Sequence, residues 1–426
     1  MRRLLFAFAL ISTPALAQSI AITGGKVVIG DGSAPIEGGT VIITNGRIVA
    51  AGKGIAIPAG AKQVDARGKW VTPGIVSGFT RLGLVGVDAV GSTNDSSANA
   101  SPFNAALDVS VAINPDVPAI AINRAAGVTR AIVSPETGNA IFGGQGAVID
   151  TGADFDPVTR ARAFQFVEFG EAGARRAGGS RSALIANFRG ALAEARSLSL
   201  GTFPDDAQLK RADAAALGPV LTGQTRLFVH VESAPDILQV LALKREFPAI
   251  NMVLVGVTEG WRVGRQIAAA KVPVIASALN DLPGSFEQIA ATQSNIGRMK
   301  AAGVDLAIGM IDDNDARQAM HVLQYAGNLV ALTRVPGATG LTWNEAFAAI
   351  TSKPAEVAGM GGEIGSLRAG RRADVVIWDG DPLELATAAT KVFIDGVEQP
   401  LSTRQTRLRD RYAKPRQEAL PKAYDR

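Results

Sequence analysis
The long middle of this chain alternates continuous apolar strands with amphipathic helical segments, and no other feature constrains its fold as much. "TRLFVHV", "NMVLVGV", "VPVIAS" and "VDLAIGM" are separated by the helically spaced "APDILQVLALKREF", "EGWRVGRQIAAAK" and "SFEQIAATQSNIGRMKAAG". A strand with one face in water would alternate apolar and polar residues. These do not, so both faces must be covered, as in a parallel sheet flanked by helices. Earlier, "GVTRAIVSP" reads as a strand, and "SALIANFRGALAEARSL" and "DAQLKRADAAALGPVL" have helical spacing. Later, "NDARQAMHVLQYAGNLVAL" reads as a helix, and Thr342-Trp343-Asn344-Glu345 is a capping box opening another, "NEAFAAITSKPAEVAGM". Strands recurring every ~20–30 residues favour a (β/α)8 barrel over a doubly wound sheet.

The two ends have a different style. Residues 18–72 are Gly-punctuated and β-branched, with Asn45-Gly46 as a hairpin turn between "TVIIT" and "RIVAAG". "ADVVIWDGDP" and "KVFIDGVEQP" repeat that style within 365–400. The expected architecture is therefore α/β: a (β/α)8 TIM-type barrel over 73–364, with a small β-sandwich domain built from both terminal segments, 18–72 and 365–400. Residues 1–17 combine Arg2-Arg3, an apolar run from Leu4 to Ile11 and the small-residue site Ala15-Leu16-Ala17. That is the pattern of a cleaved signal peptide, too short to span a bilayer, and it predicts a periplasmic or secreted protein.

Residues 401–426 form a basic tail with eight basic and three acidic residues. Tail and leader together exceed the formal net charge of +4, so the body is mildly acidic and makes no case for nucleic acid. The tail reads as a solvated or docked extension, with an acidic partner or a membrane surface as the other possibility. The sequence has no cysteine, which excludes disulfides and thiolate chemistry.

Several segments, taken in order, carry a resemblance. They are "VTPGIVSGFTRLG", "INPDVPAIAINRAAGVTRAIVSP", "GGQGAVIDTG", "RLFVHVESAPDILQVLALKREF", "MVLVGVTEGWRVGRQIAAAKVPVI" and "VDLAIGM", closed by "ITSKPAEVAGMGGEIGSLRAGRRADVVIWDGDP" and "KVFIDG". Over about residues 20–400 the chain resembles the amidohydrolase superfamily, in its imidazolonepropionase-like branch. The resemblance implies a hydrolase of non-peptide carbon–nitrogen bonds, with a metal at the C-terminal mouth of the barrel activating a water. It also implies a His-x-His pair on the first strand, a His on each of the fifth and sixth, and an Asp on the eighth.

Matched residue by residue, Phe79 and Arg81 stand for the pair, His230 for the fifth-strand ligand and Gly256 for the sixth. Ile311 stands for the Asp, with Asp312 one place late. Phe79 has no donor atom and Arg81 is a permanent cation, so neither can bind zinc. No metal site is expected here, although the family uses zinc. Arg81 is expected to take the metal's place electrostatically and Phe79 to fill its volume.

His230 and Asp312 remain the catalytic candidates, with Phe79, Arg81, Glu232, Gly256, Glu259 and Ile311 as pocket residues. Each has a plainer reading. His230 can be a hydrogen-bonding core histidine, Arg81 an ion-pair partner of Glu259 or Asp312, and Asp312 and Asp313 a helix cap with Asn314. Glu232, two residues beyond His230 on the same strand face, is a pocket carboxylate or the Arg81 partner. "GGQGAV" lacks the Lys-Ser/Thr of a phosphate loop and reads as a loop over the barrel mouth. Lys210 and its acidic neighbours read as a solvated helix face.

Two functions follow. The first is a degenerate, non-hydrolytic member that binds a small molecule or acts as a partner subunit, as a homodimer or with a ligand-complete relative. The alternative is an active hydrolase using a non-standard metal set or metal-free acid–base chemistry.

Overall fold
Apolar strands that must bury both faces have an economical solution in closing on themselves. The computed structural model, which describes residues 19–87, 89–311 and 318–413, shows that closure. Five strands open the chain: β1 (Ser19–Val27), β2 (Ile36–Thr44), β3 (Arg47–Gly52), β4 (Lys62–Asp65) and β5 (Trp70–Pro73). Eight form the barrel: β6 (Ile75–Thr80), β7 (Val128–Val133), β8 (Phe142–Asp150), β9 (Val158–Glu168), β10 (Arg226–Val231), β11 (Met252–Gly256), β12 (Val274–Ser277) and β13 (Leu306–Gly309). Three close it: β14 (Val375–Trp378), β15 (Ala389–Ile394) and β16 (Val397–Glu398).

Strands β6 to β13 are hydrogen-bonded in sequence order into one sheet. Its ends meet where Met310 N–H donates to the Phe79 carbonyl at 3.0 Å. A Cβ at Gly78 would lie 2.3 Å from the Ile308 oxygen, so the seam closes only because that position is glycine. Inward residues fill the lumen, among them Val76, Ile132, Phe166, Val255 and Ile275. Phe164 and Phe228 stack across it at 3.9 Å between ring centroids. The barrel is thus a packed core whose function must lie at a rim.

The helices covering it are α1 (Pro118–Ala125), α2 (Gly170–Arg176), α3 (Arg181–Ser199), α4 (Arg211–Leu221), α5 (Ala234–Glu246), α6 (Gly264–Ala270), α7 (Asn295–Ala301), α8 (His321–Ala331), α9 (Trp343–Ala348) and α10 (Ser352–Val357). Ser180 and Ser233 cap α3 and α5 through their side chains. Thr342 and Glu345 form the expected capping box at α9. No helix among the described residues is long and apolar enough to cross a membrane.

The barrel departs from eight βα units at one strand. β8 runs antiparallel to both β7 and β9. The expected loop "GGQGAV" is therefore barrel wall. The reason is length: a few residues separate β7 from β8, while a parallel crossover needs about a dozen. Helical periodicity also overreached. Within "SFEQIAATQSNIGRMKAAG" only α7 is an α-helix, and the residues before it form a loop over the barrel mouth. "NEAFAAITSKPAEVAGM" divides into α9 and α10.

The terminal strands form a second sheet in the order β16-β15-β14-β5-β1-β2-β3, with β4 also paired to β1. β14 lies antiparallel against β5, Ile377 opposite Val71, so both ends of the chain share this sheet. The ladders run through all eight strands as one hydrogen-bonded sheet. Beyond it, α11 (Arg404–Tyr412) carries the first part of the basic tail. The leader, Asp312, Asp313 and the end of the tail lie outside the described residues.

One buried cation ties the terminal sheet to the barrel. Arg130 on β7 is fully buried. Its Nε and Nη2 donate to Asp374 at 2.7 and 2.9 Å, and Nη2 also donates to Asp395 at 2.9 Å. Nη1 donates to Thr159 at 2.6 Å and to Asp150 at 3.3 Å. Asp374 and Asp395 come from the C-terminal segment, so the barrel's charge is neutralised by the other body.

Burial raises the Asp150 carboxyl to about 6 despite Arg130, with Asp374 and Asp154 adding to the rise. Its folded pKa lies above the unfolded one, so ionised Asp150 is disfavoured in the fold and stability falls as pH rises from about 4 to 6. Asp150→Asn is expected to flatten that slope in denaturant melts across this window. Arg130→Met should cost about 3–5 kcal/mol at pH 7 by stranding Asp374, measured by urea unfolding.

Candidate functional site
The C-terminal ends of the barrel strands bring together a charged group around one histidine. His230 on β10 and Glu168 at the end of β9 are register partners. The His230 Nδ1 and Glu168 Oε1 atoms are 2.5 Å apart. Two residues on, Glu232 turns back, and its Oε1 lies 2.8 Å from His230 Nε2. Its other oxygen accepts from Thr258 N–H at 2.8 Å. Burial alone would lower the imidazole pKa, but Glu168 and Glu232 outweigh it and hold it well above the ordinary range. Both His230 ring nitrogens thus lie within hydrogen-bond distance of a carboxylate, a pairing that favours the protonated form.

Across the mouth, Phe79 on β6 is buried and packs against Phe166 at 5.8 Å. The Arg81 guanidinium lies 5.1 Å from the Phe79 ring, and its Nε donates to Glu136 at 3.2 Å. Burial lowers the Arg81 pKa from its ordinary value, with Glu136 and Glu168 opposing. From the loop before α7, Glu287 accepts from Glu171 N–H at 2.7 Å, at the start of α2. Its carboxyl is raised by burial, with the nearby Glu232 charge adding to the rise.

A model of the amidohydrolase family matches residues 287–398. The amidohydrolase tasK of Hapsidospora irregularis is 26% identical over 80% of this chain, which spans 38% of that protein's length. An imidazolonepropionase of Acidiphilium cryptum is 24% identical over 83% of this chain and 90% of its own. The crystal structure of an amidohydrolase from Thermotoga maritima superposes with a TM-score of 0.76, at 25% identity, over 89% of this chain and 99% of that one. The chain belongs to the amidohydrolase superfamily, in its imidazolonepropionase-like branch.

The superfamily's zinc does not fit the residues present at its ligand positions. Phe79 and Gly256 have no donor, and Arg81 is cationic. Both His230 ring nitrogens are already engaged by carboxylates. Gly256 is required for this arrangement, because a Cβ there would lie 2.1 Å from Glu232 Oε1 and 2.9 Å from the His230 ring. Its φ of +89° also disfavours any side chain. Glu232 thus occupies the space a sixth-strand histidine would use.

The other candidates divide. Arg81 takes Glu136 as partner, in place of the expected Glu259. Glu259 instead accepts from Ala234 and Ala290 N–H and pairs with Arg262. Glu232 bonds His230 and not Arg81. Ile311 packs at the edge of the lumen core, and Asp312 lies outside the described residues. Sequence reasoning missed Glu168, Glu136 and Glu287. Glu168 had a signal, since it ends the strand "ARAFQFVE", where barrel sites are built. Near Lys210, Asp213 is buried rather than solvated, accepting from Asn104 and Ala106 N–H at 2.8 Å each.

Two outcomes are expected. Nitrogen-15 NMR should show the His230 imidazole protonated at pH 8, and Glu168→Gln should move its titration downward. Restoring the superfamily residue by Gly256→His should cost about 1–3 kcal/mol in urea unfolding through strain at positive φ, before any clash with Glu232 is counted.

Proposed function
We propose that this protein is a non-hydrolytic member of the superfamily whose barrel mouth serves binding, of a small molecule or within a partner assembly. The observation that carries this reading is the donor-poor set at the ligand positions: Phe79 and Gly256 offer no donor atom, Arg81 is a cation, and both His230 ring nitrogens already lie against carboxylates. Arg81 supports it, since a fixed guanidinium beside the site repels a divalent ion by several kcal/mol in such a partly dry mouth. With only part of tasK's length spanned, that protein's activity is not carried over. The leader pattern makes a periplasmic or secreted setting part of the same proposal.

Protein purified without a histidine tag should contain well under one zinc per chain by elemental analysis. Chelator should leave its melting temperature unchanged, because no metal-binding energy adds to folding. One zinc per chain, lost together with hydrolysis of a carbon–nitrogen bond on chelation, would instead establish the alternative, an active hydrolase with a non-standard ligand set.

A further inference from the structure
Away from the barrel mouth, a cavity of about 620 Å³ lies where the helix layer meets the terminal sheet. That size falls within the roughly 300–1,000 Å³ of small-molecule sites. Its walls come from α1, the start of α8, β14 and β15 with the connection between them, and the first turn of α11. The floor is apolar, formed by Ile122, Leu323, Trp378, Leu383 and Ala389. Trp378 is buried, and its indole N–H is already donated to Thr72 at 2.9 Å, so the ring offers the cavity only apolar surface. Polar side chains stand toward solvent instead: Gln324, Glu384 and Gln405 line the cavity and are exposed. None of the mouth residues lines it.

The charge beside the rim is a second, independent observation. Helix α11 carries Arg404, Arg407, Arg409 and Arg411 against one acid, Asp410. Arg409 takes that acid, donating from Nε at 2.9 Å and from Nη2 at 2.7 Å. Arg404, Arg407 and Arg411 are exposed and have no carboxylate partner among the described residues. Their spacing of i, i+3 and i+7 puts them on one face of the helix. Arg404 stands between Thr403 and Gln405, which both line the cavity, so this basic face begins at the rim. Glu384 is the one carboxylate in the lining. Permanent cations thus outnumber acids at the opening of an apolar floor.

We propose that this cavity binds a single-chain anionic amphiphile, an alkyl carboxylate of medium length. The chain lies on the Trp378 floor, where each methylene withdrawn from water is favourable. The carboxylate stays at the rim, toward Arg404 and the side-chain amides of Gln324 and Gln405. A neutral alcohol would gain the floor without the charge, and an alkylammonium would meet the arginines as a like charge. A vesicle surface would meet α11 but not the concave floor, so the two observations together select a free amphiphile. The inference goes beyond the reading of the barrel mouth and is independent of zinc.

The test is titration calorimetry on the full-length protein with sodium decanoate, decanol and decyltrimethylammonium, each kept below its micelle concentration. Decanoate should bind, and decyltrimethylammonium should bind at least about tenfold more weakly, with decanol between them. The exposed Ala388 lines the cavity, and Ala388→Trp, checked for unchanged melting, should weaken decanoate by about fivefold or more by filling it. The double variant Arg404→Gln, Arg407→Gln should bring decanoate down to the affinity of decanol while leaving decanol unchanged. As a readout of position, ω-bromoundecanoate should quench tryptophan emission through Trp378. No decanoate binding, equal binding of the cationic probe, or wild-type affinity in Ala388→Trp would each overturn the proposal. Cosedimentation with phosphatidylglycerol vesicles in the absence of any decanoate binding would also overturn it, and would assign the basic helix to a membrane surface.

Discussion
Arg130 is the residue on which the arrangement of the two sheets turns. A guanidinium without solvent cannot shed its charge and must find anions for its five N–H donors. The barrel strands supply Thr159 and Asp150, which is insufficient, and the rest comes from Asp374 and Asp395. Those two aspartates belong to the segment that returns more than two hundred residues later to pair with β5. The β-ladder sets how that segment lies, and the buried cation fixes which face it presents to the barrel. Trp378 completes the contact, packing so closely on Gly127 that a Cβ there would lie 2.3 Å from its ring.

At the mouth the same rule is met within the barrel, where Glu136 pairs with Arg81 and Glu168 and Glu232 hold His230. A superfamily barrel with a divalent ion would balance several acidic groups at once. Here a guanidinium and a carboxylate-bound histidine stand at two of the ligand positions, and glycine and phenylalanine at two others. The substitutions are mutually dependent: Gly256 leaves the space into which Glu232 reaches, and Glu232 with Glu168 raises the His230 pKa against the effect of burial. With Phe79, Arg81 and Gly256 at the other positions, restoring one histidine would not restore a site.

Much of this was legible in the chain. Continuous apolar strands separated by amphipathic helices specify a covered sheet, and the superfamily's segments mark which strand ends form the mouth. The reversed β8 was not legible, because "FGGQGAVID" is half glycine-rich turn and half apolar strand by composition. Its direction follows from the shortness of the connections on either side. The loop before α7 was also misread, since "SFEQIAATQS" has helical spacing but forms only short turns, held in place by Glu259, Asp281 and Glu171 contacts.

By itself the sequence determined the chemical inventory: two histidines, no cysteine, and Phe79, Arg81, Gly256 and Ile311 where zinc ligands stand in relatives. That inventory is a matter of which atoms can donate a lone pair, and it needs no coordinates. Tertiary structure decided which charges meet. Glu168, Glu136 and Glu287 reach the mouth from separate strands and loops, and only Glu168, at a strand end, carries a local sign of it. Coulomb energy depends on distance and on excluded water, and both are set by closure of the barrel rather than by position along the chain.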